Sequence, residues 1–257
     1  MKRPKVLILR TAGTNCDLET GFAFENCGAE VAYHHIATLR PNRLEHYQIF
    51  VLPGGFTYGD YIGAGKILAN ELLTQFRDEL IRFIEEKKLI IGICNGFQVL
   101  VKSGLLPASE EYFKIEATLI DNKSGRFEDR WVFLKPSSSN CIFLKGLDGI
   151  IELPVAHAEG RFIAPDRVIE RLQKKKMIAL RYCNPDGSGA IYPYNPNGSI
   201  FDIAGVCDST GQIFGLMPHP ERFIDPSQHP RHNRRKITTT AGFEIIKRGV
   251  DYARETF

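Results

Sequence analysis

Residues 89–100 read LIIGICNGFQVL, and the hydrophobic period changes in the middle of that stretch. Leu89, Ile90, Ile91 and Ile93, interrupted only by Gly92, form a short β-branched run suited to a strand buried on both faces of a parallel sheet. After Gly96, residues Phe97, Val99, Leu100 and Val101 take helical spacing up to Ser103, with Gly104 and Pro107 as the stop. Cys94 therefore falls on a strand-to-helix turn.

Gly92, Cys94 and Gly96 place small residues on both sides of a nucleophile, the pattern of a nucleophile elbow with Cys in the usual place of Ser. A following helix would aim its N-terminal N–H groups and positive dipole end at the sulfur, favouring thiolate below the free thiol pKa of about 8.5. The Asn95 N–H is placed to donate to an oxyanion. A buried Cys closing a core strand is the alternative reading of this stretch alone.

The strand and helix signals on either side repeat the same unit. Residues 5–9 read as a first buried strand, followed by the loop TAGTN and a helix from about Asp17 that Gly28 ends. Residues 30–34 and 49–52 are further strands, and 68–87 has helical periodicity with a charged outer face. Residues 177–182 and 214–220 add strands, and 238–252 a closing helix. Strands alternating with helices predict an α/β fold with a doubly wound, mostly parallel sheet flanked by helices. From 107 to about 149 the alternation in RWVFL and the turn NKSG predict a small antiparallel β appendage. At 257 residues one elaborated domain, 1–257, suffices, with a C-terminal extension at about 225–257.

Composition narrows the function classes. Lys plus Arg number 33 against 30 Asp plus Glu, and a net charge of +3 is too mild to favour nucleic acid or an anionic membrane. The six cysteines include no C-x-x-C pair, so no metal site and no disulfide framework is expected. The apolar run after the basic N-terminus, residues 6–9, is far shorter than a signal-peptide core. A cytoplasmic protein with reduced thiols is expected.

Two more motifs carry chemistry. PGGF, residues 53–56, follows a strand at its carboxyl end, where ligands bind in such sheets, and its glycines let an N–H approach a ligand. The glycine-rich run after it lacks the spacing and Lys of a phosphate loop. In MPHPER, residues 217–222, prolines on both sides of His219 favour extended backbone, so Glu221 at i+2 can share its face. A carboxylate on one ring nitrogen fixes the tautomer and leaves the other for a thiol. His157 in HAEGRF is the rival base, but its Glu159 partner lies in a segment that proline does not stiffen. The basic run 225–236 reads as solvated surface, with a partner-docking site as the alternative.

PGGF, GICNGFQ and MPHPER at these separations resemble the class I, triad-type glutamine amidotransferases. HAEGRF, SGRFE, YNPNGS and the Ala204-Gly205 pair are similar to the glutaminase components of phosphoribosylformylglycinamidine synthases in purine biosynthesis. The resemblance implies Cys94 as nucleophile, His219 as base and acid, and Glu221 as its orienting partner. It implies oxyanion N–H groups from Gly55 and Asn95, with Gln98, Phe56 and His157 at the substrate glutamine. It implies no cofactor in this chain, ATP and magnesium on a partner synthetase subunit, and a small accessory subunit. Departures from the family pattern at Ala158, at Asp208-Ser209 and after Pro107 leave the triad untouched. Two other readings stay open: a stand-alone Cys-elbow hydrolase or peptidase, and a catalytically idle regulatory subunit.

Overall fold

The computed structural model describes residues 3–257. Its strands are β1 (Lys5–Arg10), β2 (Glu30–His35), β3 (Ile49–Leu52), β4 (Leu89–Ile93), β5 (Thr118–Ile120), β6 (Glu128–Pro136), β7 (Ile151–His157), β8 (Arg161–Ile163), β9 (Ile178–Cys183), β10 (Ile203–Cys207) and β11 (Ile213–Leu216). The helices are α1 (Asp17–Asn26), α2 (Lys66–Glu85), α3 (Asn95–Lys102), α4 (Asp166–Lys174) and α5 (Ala241–Thr256).

One nine-stranded sheet runs in the order β2-β1-β3-β4-β11-β10-β9-β6-β7. The pairings from β2 to β11 are parallel, and those from β11 to β7 antiparallel. Every residue of β3 and β4 is buried, as expected of central strands covered on both faces. α1 packs with α5, and α2 with α3. The small antiparallel sheet is present as β5 with β8. The RWVFL alternation belongs elsewhere: it lies in β6, which extends the main sheet between β9 and β7. β7, β8, α4 and β10 lie where no strand or helix was expected. α4 is short, with only Val168, Ile169 and Leu172 buried, and β10 is a five-residue apolar segment paired with β11 across a tight turn.

The elbow sets the spacing of the central layers. A Cβ on Gly96 would lie 1.9 Å from the Leu52 carbonyl oxygen, so α3 can approach β3 only where no side chain intervenes. Gly92 faces the same crossing, its Cβ position 2.5 Å from the Gly96 oxygen. Among the described residues no helix is long and apolar enough to cross a membrane.

Gly96→Ala is expected to destabilise the fold by about 2 kcal/mol or more, because backbone must move to admit the methyl group. That corresponds to a loss of about 4–8 °C in Tm for a chain of this size. Gly125→Ala, at φ +65° with nothing within 4 Å of the new Cβ, should cost only the left-handed backbone penalty of about 1–2 kcal/mol. Thermal unfolding of both variants decides the matter, and equal losses would remove the argument from the elbow's packing.

Candidate active site

The site is built on the carboxyl ends of adjacent parallel strands. β4 delivers Cys94 at φ 51°, ψ −105°, a conformation L-residues rarely adopt, with its N–H held by the Leu216 oxygen at 2.8 Å. Such strain costs about 1–3 kcal/mol and persists where the surrounding structure dictates it. Here the dictating contacts are the two glycines and the ladder bond. α3 begins at Asn95, two residues earlier than the helical spacing predicts, so its first-turn N–H groups and positive dipole end lie at the sulfur. The thiol lies 3.7 Å from the Ala156 oxygen, and Cys94 is 5% exposed.

β11 leads into the MPHPER turn beside it. The His219 N–H is anchored to the Pro154 oxygen of β7 at 2.9 Å, and its backbone is extended, as the flanking prolines predict. Glu221 does not continue that extended run: it lies in a 3-10 turn, Pro220–Arg222, and the turn brings its carboxylate Oε1 to 2.6 Å from His219 Nδ1. Both side chains are buried, and among the described residues His219 Nε2 and Glu221 Oε2 have no hydrogen-bond partner. Burial penalises the imidazolium, but the Glu221 carboxylate, then Cys94 and Cys16, outweigh it and hold the His219 pKa well above its ordinary value. The ring is thus poised to carry a proton.

His157, the rival, sits in the opposite environment. Burial, reinforced by the charge of His219, pushes its pKa down to about 3. Its Nδ1 meets Asn122 Oδ1 at 3.1 Å, and Asn122 also donates to the His157 carbonyl at 2.8 Å. Gly160 packs on the ring, where a Cβ would lie 2.4 Å away. This neutral imidazole braces the HAEG turn against the loop that follows β5.

The PGGF turn is pinned by the TAGTN loop. Cys16 N–H donates to Gly54 O at 3.2 Å, Phe56 N–H to Gly13 O at 2.9 Å and Tyr58 N–H to Ala12 O at 2.8 Å. Gly55 has φ +150° and no room for a Cβ, which would meet the Gly13 oxygen at 2.7 Å. Phe56 is 45% exposed, its ring tilted against Phe127 at 6.4 Å.

Asn95 and Gln98 belong to a polar network that single motifs did not reveal. Asn95 Oδ1 accepts from Thr57 Oγ1 at 2.7 Å, and its Nδ2 donates to Asp60 at 3.2 Å and to Gln98 Oε1 at 2.9 Å. Gln98 donates onward to the Glu159 carbonyl, and the Glu159 carboxylate takes the Ala64 N–H at 3.2 Å and faces Lys102 at 3.7 Å. Burial, with Glu159 adding repulsion, raises the Asp60 pKa to about 6. The Gly59-Asp60 pair in the glycine-rich run was the one available sequence signal.

Two other groups of residues stand apart from this centre. A cavity of about 660 Å³ is lined by Lys123, Arg126, Tyr192 and Asn195 among others, and by none of Cys94, His219 and Glu221. In the 225–236 run, Arg231, Arg234 and Lys236 are exposed, while His229 is buried beside Trp131 and meets Glu152 at 3.2 Å. All six cysteines are free and buried.

The Asp60 shift fixes a pH dependence. A carboxyl with a folded pKa of about 6 and an unfolded value of 3.8 favours the fold below the lower value, and that contribution is lost as pH rises through the higher one. Asp60→Asn should therefore raise Tm at about pH 8, on the order of 2 °C, with the gain fading towards about pH 4. Thermal scans at the two pH values check this, and a gain independent of pH would show that the buried charge is not its source.

The sequence profile of the CobB/CobQ-like glutamine amidotransferase domain matches residues 3–253. The phosphoribosylformylglycinamidine synthase subunit PurQ of Dehalococcoides mccartyi is 46% identical over 260 residues, covering 99% of this chain and 100% of that protein. Its counterpart in Methanococcus maripaludis is 43% identical over 254 residues, covering 96% of this chain and 90% of the other. Among solved structures, PurLQS from Thermotoga maritima contains a chain that superposes with a TM-score of 0.75 at 30% identity, covering 98% of this chain and 99% of that one. Carrying these likenesses along nearly its whole length, the chain belongs to the CobB/CobQ-like glutamine amidotransferase family, among the PurQ subunits of phosphoribosylformylglycinamidine synthase.

Proposed function

We propose that this chain is the glutaminase subunit that hydrolyses glutamine and passes ammonia to a synthetase subunit converting formylglycinamide ribonucleotide to formylglycinamidine ribonucleotide. The observation that carries the reading is the buried His219–Glu221 contact of 2.6 Å beside the Cys94 elbow, in a chain 46% identical end to end with a PurQ subunit. The Cys94 thiolate adds to the carboxamide carbon, forming a C–S bond while the carbonyl electron pair moves to oxygen. The N–H groups of Gly55 and Asn95 receive that oxyanion. As the intermediate collapses, the C–N bond breaks and His219, orientated by Glu221, gives its proton to the departing ammonia. Water, deprotonated by His219, then cleaves the thioester to glutamate and restores the thiol. Gln98, Phe56 and His157 are assigned to the walls of the glutamine pocket.

No cofactor is assigned to this chain. ATP and magnesium are assigned to the synthetase, and a small accessory subunit is proposed to complete the assembly. Exposed apolar side chains favour a docked partner over a stand-alone hydrolase. Phe56 and Phe127 pair at the surface, and the segment after PGGF exposes Tyr61 and Ile62, each 77% exposed. That segment also carries the Thr57 and Asp60 contacts to Asn95, so a partner covering it presses on the residue beside the nucleophile. The buried state of Cys94 fits an enzyme whose site opens or completes on binding.

In the complex, Cys94→Ala should abolish glutamine-driven synthesis and leave synthesis from added ammonium largely intact. His219→Ala should cost about a thousandfold or more in glutaminase turnover, with Glu221→Gln intermediate and His157→Ala judged after a folding check. Glutamate release by the Cys94→Ala variant at the wild-type rate would sink the assignment.

Steady-state glutamate release should also rise at least about tenfold when the synthetase and its ligands are added, the effect of restoring part of one oxyanion donor. Equal turnover with and without the partner would favour the stand-alone hydrolase.

A further inference from the structure

Cys16 supplies a second sulfur at the histidine, and none of the steps above uses it. The residue precedes α1 and is 2% exposed. Its Sγ, the His219 ring and the Glu221 carboxylate each place a donor atom within 4.8 Å of the others. Gly54 allows sulfur and ring to meet, since a Cβ there would lie 3.0 Å from both Cys16 Sγ and His219 Cε1. The sulfur is held from two further sides. Arg222 Nη2 donates to it at 3.1 Å, and the thiol proton goes to Asn15 Oδ1 at 3.2 Å. Arg222 is fixed in turn by Nε donating at 3.0 Å to Glu19, in the first turn of α1.

With its proton committed to Asn15, the thiol turns a lone pair towards the guanidinium, and its sulfur lies within 4.8 Å of a His219 ring nitrogen. An acceptor at that position favours the imidazolium, the form His219 takes once it holds a proton. The same arrangement disfavours capture of a metal cation, because the sulfur already serves a guanidinium. We infer that Cys16 is a positioning residue for His219: anchored by the Arg222–Glu19 pair, it packs against the imidazole and steadies its protonated form. The inference rests on the glutaminase reading. The titratable and charged groups facing the ring are Glu221 on its own turn, Cys94 from the elbow, Cys16 before α1 and His157 at the end of β7, with Arg222 acting through the Cys16 sulfur.

The experiment is a pH profile of kcat/KM for glutamine in the complex with the synthetase, for wild type, Cys16→Ser and Cys16→Ala, with Cys94→Ala as control. Cys16→Ala should move the alkaline limb, where the imidazolium loses its proton, to lower pH by about half a unit, so that activity above the limb falls about threefold further than on the plateau. Cys16→Ser keeps an acceptor and should restore most of that shift. An unchanged limb in Cys16→Ala, whatever its plateau rate, or an equal shift in both variants, overturns the inference and leaves Cys16 a packing residue. Ammonium-driven synthesis reports assembly independently of the thiol. Should Cys16→Ala fail to assemble, Glu19→Gln carries the test, because its side chain is 42% exposed and its loss releases Arg222. It should shift the limb the same way, and no shift overturns the inference. Absence of glutamine hydrolysis in the wild-type complex would instead remove the glutaminase reading, and persistent hydrolysis in the Cys94→Ala control would remove its nucleophile, results unlike any limb shift.

Discussion

The close approach of Gly96 to the Leu52 carbonyl governs the placing of Cys94. With no side chain at 96, α3 settles onto β3, and the chain between β4 and α3 must turn so sharply that Cys94 takes a positive φ. The turn projects the sulfur out of the sheet while its backbone stays in the ladder through the Leu216 oxygen. Dispersion and burial in the two central strands, whose residues are all buried, offset the local strain. The strained geometry at Cys94 is therefore stabilised by the core, and the loop alone could not hold it.

Two buried histidines show how surroundings divide one chemistry into two tasks. His219 and His157 each have 3% exposure or less, so desolvation alone would keep both neutral. His219 has a carboxylate on Nδ1 and sulfurs beside the ring, and the balance favours charge. His157 has amide partners and feels His219 as a like charge, so it stays neutral. A proton entering the site has one imidazole to occupy. The unpartnered atoms, His219 Nε2 and Glu221 Oε2, lie on the two residues to which the proposed reaction assigns proton transfer and charge.

Features written in short range were legible in the sequence. The elbow depends on Gly92, Cys94 and Gly96 within five residues, and the extended backbone of His219 on the prolines beside it, so local sterics sufficed for both, whereas the Glu221 contact is made by a 3-10 turn that extension does not predict. Long-range features were not. Asp60, Asn95, Gln98, Lys102 and Glu159 converge only through the fold, and Cys16 reaches His219 from the other end of the chain. α4 has a sharp apolar stripe of Val168, Ile169 and Leu172, but its nine residues fall short of the window over which helical spacing is read, and β10 is too short to show a period. The alternation around β6 suggests an appendage where the main sheet in fact continues, because alternation reports a half-exposed strand without naming its neighbour.

The last helix also bears on the turn that carries His219 and Glu221. Gly242 of α5 lies where a Cβ would be 1.8 Å from the Pro220 oxygen, so the turn carrying Glu221 is moulded against a helix made after it. During synthesis the ribosome releases the Cys94 segment on the order of ten seconds before His219, at the usual elongation rate of about 5–20 residues per second. The contact between His219 and Glu221 therefore depends on β11 lying against β4 and on α5 lying over the turn, so it belongs to the last part of the chain to be made.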